Sequence, residues 1–350
     1  MKKLDCKDLI DGCSSADEFA VRLIAGVSSE EWCQLEQGGF EGEINDFNRA
    51  TLLRLRERGV DDAPSGPFDA ADVERMADLL QSFLGQHMPD DPDAGRWIMF
   101  SCLALAFVFR EPLHPIERVQ AEARVADGKA TYYCPAREGD ETLCGYCVCR
   151  PMSELLEIED RVVTRTLQAH GEKSADIHAL LLRSGMVEAN VISTSALAFC
   201  EEVRQICAGN ACGSYDSCWA CPPAVGTLEE CRRRCLSFDA MLLFSRAYLL
   251  EDSFDFAGMA NALSDFKKRV VNVAPALRER AGQALVLSNE GCGICSECTW
   301  PDAPCRFPDK CLHSIEGYGL TVSALASSAG MRYFNGPNTV TFFGAVLYNA

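Results

Sequence analysis

Three cysteines at C-x2-C-x2-C spacing, Cys292, Cys295 and Cys298, with Cys305 following in CRFP, constrain this chain more than any other feature. Spacing of this kind curls a short loop so that successive thiolates face one centre, and a more distant cysteine near a proline closes the set. Zinc sites more often pair two separated C-x2-C elements or mix cysteine with histidine. Spacing and ligand softness therefore favour an iron-sulfur cluster over zinc at this group.

Six residues, not three, precede Cys305, which distinguishes the group from the two-cluster ferredoxin run. A second group comprises Cys207, Cys212, Cys218 and Cys221, the last followed by Pro222 and Pro223. Two prolines after a ligand remove backbone donors and stiffen the chain, fixing the direction of that thiolate. Four thiolates within fifteen residues call for a cation, either in a [4Fe-4S] cluster or as zinc held by four cysteines. The third group lies in TYYCPAREGDETLCGYCVCR: Cys134, Cys144, Cys147 and Cys149, where zinc and a cluster fit the spacing about equally. His114, in REPLHP, is an alternative fourth ligand to Cys149 there.

Eight of the 20 cysteines remain without an assigned role: Cys6, Cys13, Cys33, Cys102, Cys200, Cys231, Cys235 and Cys311. Cys102 sits in an apolar run and reads as core packing, and Cys311 is a substitute for Cys305. Cys231 and Cys235 share a helix face beside Arg232, Arg233 and Arg234, which reads as a solvated basic face.

Such cysteine density suits secretion only as a disulfide framework, but the opening MKKLDCKDLI has no apolar stretch behind its lysines. The longest apolar run, 97–109, has thirteen residues, short of the roughly 20 a membrane span needs. A cytoplasmic chain with metal-binding cysteines and no membrane span is expected. The net charge of -18 argues against nucleic acid as a partner. Most of it lies early: 18 Lys and Arg against 32 Asp and Glu up to Arg165, then 15 against 19.

At 350 residues the chain exceeds what one core usually organises. Amphipathic periodicity predicts helices over 17–35, 45–58 and 69–83, the last capped by Asp69, with loop signals at Pro64, Gly66, Pro67 and 88–95. An apolar helix over 97–109 follows, then a cysteine-bearing loop, 132–150, and a charged connecting helix, 153–174. Beyond it, short apolar runs at 187–192, 240–249, 284–287 and 340–347 read as strands, with helices at 195–206, 227–236, 256–280 and 314–329 between them. The fold class expected is α+β: a helical domain, 1–165, carrying the Cys134–Cys149 metal loop, and a mixed α/β domain, 166–350, carrying the cluster loops.

Two resemblances add to this. VRQICAGNACGSYDSCWACPP, GCGICSECTWPDAPCRFPDKCLHSIEGYGLTV and VTFFGAVLY resemble an uncharacterised family described as predicted metal-binding proteins of anaerobic bacteria and archaea, over roughly 185–350. Its motifs are Cys-Pro-Pro, the cysteine triplet, Cys-Arg-x-Pro and a Ser-x-Glu-x-x-Gly turn, here Ser314, Glu316 and Gly319. The resemblance implicates Cys207, Cys212, Cys221, Cys292, Cys295, Cys298 and Cys305; Cys218 is shared with only some members. FREPLHP and YYCPAREGDETLCGYCVC are similar to a second uncharacterised family, best known from methanogenic archaea, over about 17–150. That similarity points to His114, Pro115, Cys134, Cys144 and Cys147, but IERVQAEARV stands where a glycine-rich turn is expected.

The functional expectation is a multi-cluster iron-sulfur protein with two [4Fe-4S] clusters and room for a third, serving electron transfer or low-potential reductive activation of a partner. Habitat of the resembling families points to a corrinoid or methyl-transfer enzyme, or its activation system, as redox partner. A zinc-stabilised interaction protein is the alternative. A second alternative is an iron-sulfur reductase or lyase with an open iron, for which Cys134, Cys144 and Cys147 without Cys149 are the place to look. No phosphate-cradling loop, dinucleotide fingerprint, nucleophile elbow or haem-attachment motif is present.

Overall fold

The computed structural model describes residues 9–38, 43–58, 68–88, 90–126, 129–137 and 143–350. Cys6, the loop at Pro64, Gly66 and Pro67, and part of the 132–150 segment lie outside the described residues. Contacts divide the chain into one unit of residues up to Ala123 plus Thr131–Glu154, and a second of Arg124–Ala130 plus Leu155–Ala350. The architecture is α+β, with helices early and a mixed sheet late.

In the first unit, helices α1 (Ala16–Ala25), α2 (Ser29–Glu36), α3 (Glu43–Glu57), α4 (Ala70–His87) and α5 (Pro92–Ala104) surround one core. Caps set their starts: Ser15 accepts the Glu18 N–H, Asp69 accepts that of Ala71, and Asp91 accepts that of Ala94 ahead of Pro92. The helix expected over 17–35 is two helices. Gly26 ends α1, and Ser28 with Glu31 forms a reciprocal capping box that starts α2. Phe19, Leu23, Leu35, Leu52, Met76 and Phe100 are fully buried, and the paired Asn48 and Ser101 side chains satisfy each other within that core.

Helix α5 continues as a wider π turn, Leu105–Phe109, which Arg110 ends in a left-handed conformation, φ 56°. Of the described residues, only Pro92–Phe109 is long and apolar enough to cross a membrane, and 72% of it is buried inside the protein. It is the core helix that the apolar run predicts.

Strands β1 (Glu122–Ala126), β2 (Lys129–Cys134) and β3 (Arg150–Pro151) come first in the chain; the second unit is built on a five-stranded sheet in the order β4-β5-β8-β6-β7, with β4 (Glu188–Ser193), β5 (Ala240–Leu249), β6 (Ala284–Ser288), β7 (His313–Ser314) and β8 (Thr339–Tyr348). All neighbours are antiparallel except β6 and β7. Alternation along β5 and β8 sends Met241, Leu243, Phe343 and Ala345 to one face and Leu242, Phe244, Val346 and Tyr348 to the other. Both faces are covered, which is why these two strands read as near-continuous apolar runs. A Cβ on Gly344 would stand 2.4 Å from the Phe244 ring, so only glycine lets that ring lie across β8.

Helices Glu172–Arg183 and Phe256–Ala281 cover one face; Leu228–Leu236 and Val322–Ser328 cover the other. Three expected helices are interrupted. The connecting helix runs Met152–His170 and restarts after Gly171, φ 86°. The 195–206 segment begins in a single 3-10 turn, Thr194–Ala196, and is α-helical only from Glu201, because Leu197 enters the core and Phe199 bridges to Leu320. The 314–329 segment breaks at Gly319, φ 74°, before Val322.

Candidate metal centre

Two loops of the second unit carry the later cysteines: 209–226, after the helix Glu201–Ala208, and 289–312, between β6 and β7. Trp219 and Trp300 meet edge to face, centroids 4.7 Å apart at 82°. Each indole also bonds across the two loops: Trp219 donates to the Ala303 carbonyl at 3.2 Å and Trp300 to Asp216 Oδ1 at 2.9 Å. The Ser314 N–H donates to the Ala220 carbonyl at 3.0 Å, fastening the first loop to β7. Lys267 Nζ and an Arg278 N–H, both from the long helix, donate to the Gly291 and Asp309 carbonyls at 2.6 Å each.

Between the loops lies a cavity of about 260 Å³ lined by six cysteines: Cys218, Cys292, Cys295, Cys298, Cys305 and Cys311. Cys292 and Cys311 share a hydrogen bond that lowers the first thiol well below the ordinary range and raises the second; burial adds to the rise. Cys305 also bonds Cys311. Gly291 keeps the wall open, since a Cβ there would stand 2.7 Å from Ser214 Oγ and 3.4 Å from Cys218 Sγ. Spacing grouped Cys218 with Cys207, Cys212 and Cys221; its side chain instead enters the cavity of the triplet, and Cys311 lies there beside Cys305 rather than in its place.

Cys207, Cys212 and Cys221 line a second cavity of about 370 Å³. A tight turn, the Cys221 N–H to the Cys218 carbonyl at 3.4 Å, sends the two thiols of one segment into different cavities. Their sulfurs remain hydrogen-bonded, which lowers Cys218 and raises Cys221. Ser314 Oγ stands 3.6 Å from Cys221 Sγ and accepts the Gly317 N–H at 3.0 Å. Arg204 anchors the helix bearing Cys207 by donating to the Gly317 and Gly226 carbonyls at 2.7 and 2.8 Å.

Glu316 also lines this second cavity. Burial pushes its carboxyl up, and its Oε2 is buried without a hydrogen-bond partner. The Ser-x-Glu-x-x-Gly element therefore has a structural meaning: Ser314 steadies Cys221, Glu316 faces the cavity, and Gly319 makes the left-handed turn. A Cβ at Gly319 would stand 2.3 Å from Leu228 Cδ1.

In the first unit, Tyr133 and Cys134 of β2 (Lys129–Cys134) pair in parallel with Arg150 and Pro151 of β3. This places Cys134 close to Cys149, whose carbonyl accepts from Arg137. The Cys149 thiol bonds Cys147, which lowers Cys147 and raises Cys149; backbone donors at Leu113 and Cys149 also hold Cys147 down. Cys144 contributes its carbonyl to the Cys147 N–H at 3.1 Å, and His114 is exposed. Cys102 is buried in the core, as read from sequence; Cys231 and Cys235, read as part of a solvated basic face, are instead fully buried against the sheet, and Arg234 turns inward to donate to the Tyr318 hydroxyl, which leaves Arg232 and Arg233 exposed.

Among the described residues, no three His, Cys, Asp or Glu side chains converge as they would on a single ion. The later thiols ring cavities instead. Their donor set is soft sulfur throughout the first cavity, and the second adds an orphaned carboxylate oxygen; both fit a metal-sulfur group.

Residues 190–348 match a family described as predicted metal-binding protein (DUF2284). Residues 35–152 match one described as uncharacterized protein conserved in archaea (DUF2115). Over 109 residues, 30% of the chain, it is 26% identical to the UPF0305 protein MJ0646 of Methanocaldococcus jannaschii, and it spans 66% of that relative's length. No solved structure matches the chain. Every cysteine of the two cavities falls within 190–348, and the Cys134–Cys149 group within 35–152. Residues 190–348 are thus similar to the predicted metal-binding family and residues 35–152 to a family conserved in archaea.

Proposed function

We propose that the second unit holds two iron-sulfur clusters, one in each thiol cavity, and that the protein carries electrons for low-potential reduction or reductive activation of a partner. The observation carrying this reading is the six-cysteine cavity with a second thiol cavity one turn of chain away. Clusters held by thiolates supply one-electron chemistry at potentials tuned by hydrogen bonds to sulfur and by exposure.

The chain's own residues provide that tuning. Ser314 bonds the Cys221 sulfur, and Lys267 places positive charge near Cys292. Trp219 forms part of the wall of the first cavity. The short turn from Cys218 to Cys221 brings a thiol of one cavity next to a thiol of the other.

The Cys134, Cys144, Cys147 and Cys149 thiols of the first unit are a candidate third site, for a cluster or zinc. The acidic N-terminal half suits docking to a basic redox partner. A corrinoid or methyl-transfer enzyme, or the system that activates one, is the partner class proposed, in an anaerobic cytoplasm. Visible and electron paramagnetic resonance spectra of anaerobically purified protein test the reading. Brown absorbance that dithionite bleaches, with paramagnetic signals on reduction, supports it; a colourless protein contradicts it.

A further inference from the structure

The unpartnered Glu316 oxygen, in a wall shared with three thiols, sets the second cavity apart from the first. We propose that Cys207, Cys212 and Cys221 supply three thiolates to its metal centre, that Glu316 holds the remaining coordination position, and that a small molecule with an apolar body and one donor atom displaces it there. This rests on the reading of the cavities as metal-sulfur sites and deepens it: the second site binds substrate, whereas the first relays electrons.

Three observations converge. Cys218, the fourth thiol of the sequence group, lines the first cavity, and the cysteines in the wall of the second are Cys207, Cys212 and Cys221. A buried carboxylate oxygen without a donor is costly unless something else satisfies it, and a metal ion does so. The cavity is wide, about 370 Å³, and its walls include Val203, Leu320 and Val322, with Ile206 and Tyr333 exposed. Exposed apolar side chains beside a metal position favour a ligand that brings apolar surface of its own.

The test uses full-length protein purified anaerobically, with cyanide as a probe of the coordination position and 1-butanethiol as a probe of the walls. The signal lost in Cys212→Ser identifies the second site, and the remaining signal reports that each variant is folded. In Glu316→Ala, cyanide should bind that site at least about tenfold more tightly than in wild type, by the loss of one competing ligand. In Glu316→Cys it should not bind. Ile206→Ser should weaken 1-butanethiol severalfold and leave cyanide unchanged, as expected for lost apolar contact. Cyanide binding that is the same in wild type, Glu316→Ala and Glu316→Cys overturns the proposal. If the purified protein holds zinc and no iron, the cluster reading fails by itself. Cobalt replacement then reads the ligand set directly: a spectrum that Glu316→Cys converts from mixed to all-sulfur ligation upholds the Glu316 assignment, and one it leaves unchanged overturns it.

Discussion

Ser314 Oγ lies 3.6 Å from the sulfur of Cys221 while accepting the Gly317 N–H at 3.0 Å. One hydroxyl thus ties the Cys-Pro-Pro segment to the turn that presents Glu316. Ser314→Ala should cost about 1–2 kcal/mol of stability, the worth of two modest hydrogen bonds. It should also move the potential of the second site to more negative values, because a hydrogen bond to the ligand sulfur is lost. Chemical denaturation and a spectroscopic redox titration measure the two effects.

Gly319 is in a left-handed conformation, φ 74°, with Leu228 against the position of a Cβ. Gly319→Ala should destabilise the second unit by about 1–3 kcal/mol through backbone strain, before any contribution from the clash. Thermal unfolding checks this. Gly213, also at positive φ but with open space beside it, serves as the comparison, and its alanine variant should cost less.

His178 is buried, its Nδ1 shares a 2.5 Å hydrogen bond with Thr166, and its Nε2 has no partner. Burial, aided by the charge of His170, lowers it from 6.5 to about 4. The folded protein therefore refuses a proton that the unfolded chain accepts. Stability is complete above pH 6.5 and falls as pH drops toward 4, by about 3 kcal/mol from this group. The difference between wild type and His178→Gln in urea unfolding, measured at pH 7.5 and 4.5, isolates that part from the carboxylates.

The Trp219–Trp300 contact and its two indole hydrogen bonds hold the cysteine loops together. Trp300→Phe removes the bond to Asp216 and keeps an aromatic ring. Several-fold faster bleaching of the first site in air is expected, read as loss of visible absorbance, with unfolding by heat little changed.

Much of the fold was legible where one local signal dominated. The run over 240–249 is β5 residue for residue, and Thr227 with Glu230 announces its helix by a capping box. The division of α1 from α2 was also written locally, in Gly26 and in Ser28 with Glu31, but the continuous apolar period masks it. The failed helix at 195–200 is different: Leu197 and Phe199 are claimed by partners distant in sequence, which periodicity does not register.

At the site, spacing groups the triplet with Cys305 and places Cys218 with Cys207, Cys212 and Cys221, whereas the cavity lined by the triplet also includes Cys218 and Cys311. Ligand spacing assumes that neighbours in sequence face one centre, whereas the adjoining Cys218 and Cys221 thiols line two neighbouring cavities. Glu316 was visible only as part of a turn motif. Its role depends on burial and on the company of Cys207, Cys212 and Cys221, which are brought to it by the fold.

The central claim is that two separate thiol cavities each hold a cluster. Iron, acid-labile sulfide and zinc determined on anaerobically purified wild type and on the Cys295→Ser variant test it most directly. Two cubanes predict about 8 iron and 8 sulfide per chain in the second unit, with about 4 more iron if the first unit holds a third cluster. Cys295→Ser should lose roughly 4 iron and keep the signal of the Cys207, Cys212 and Cys221 site. Zinc in place of iron, or loss of all iron in that single variant, would contradict the account.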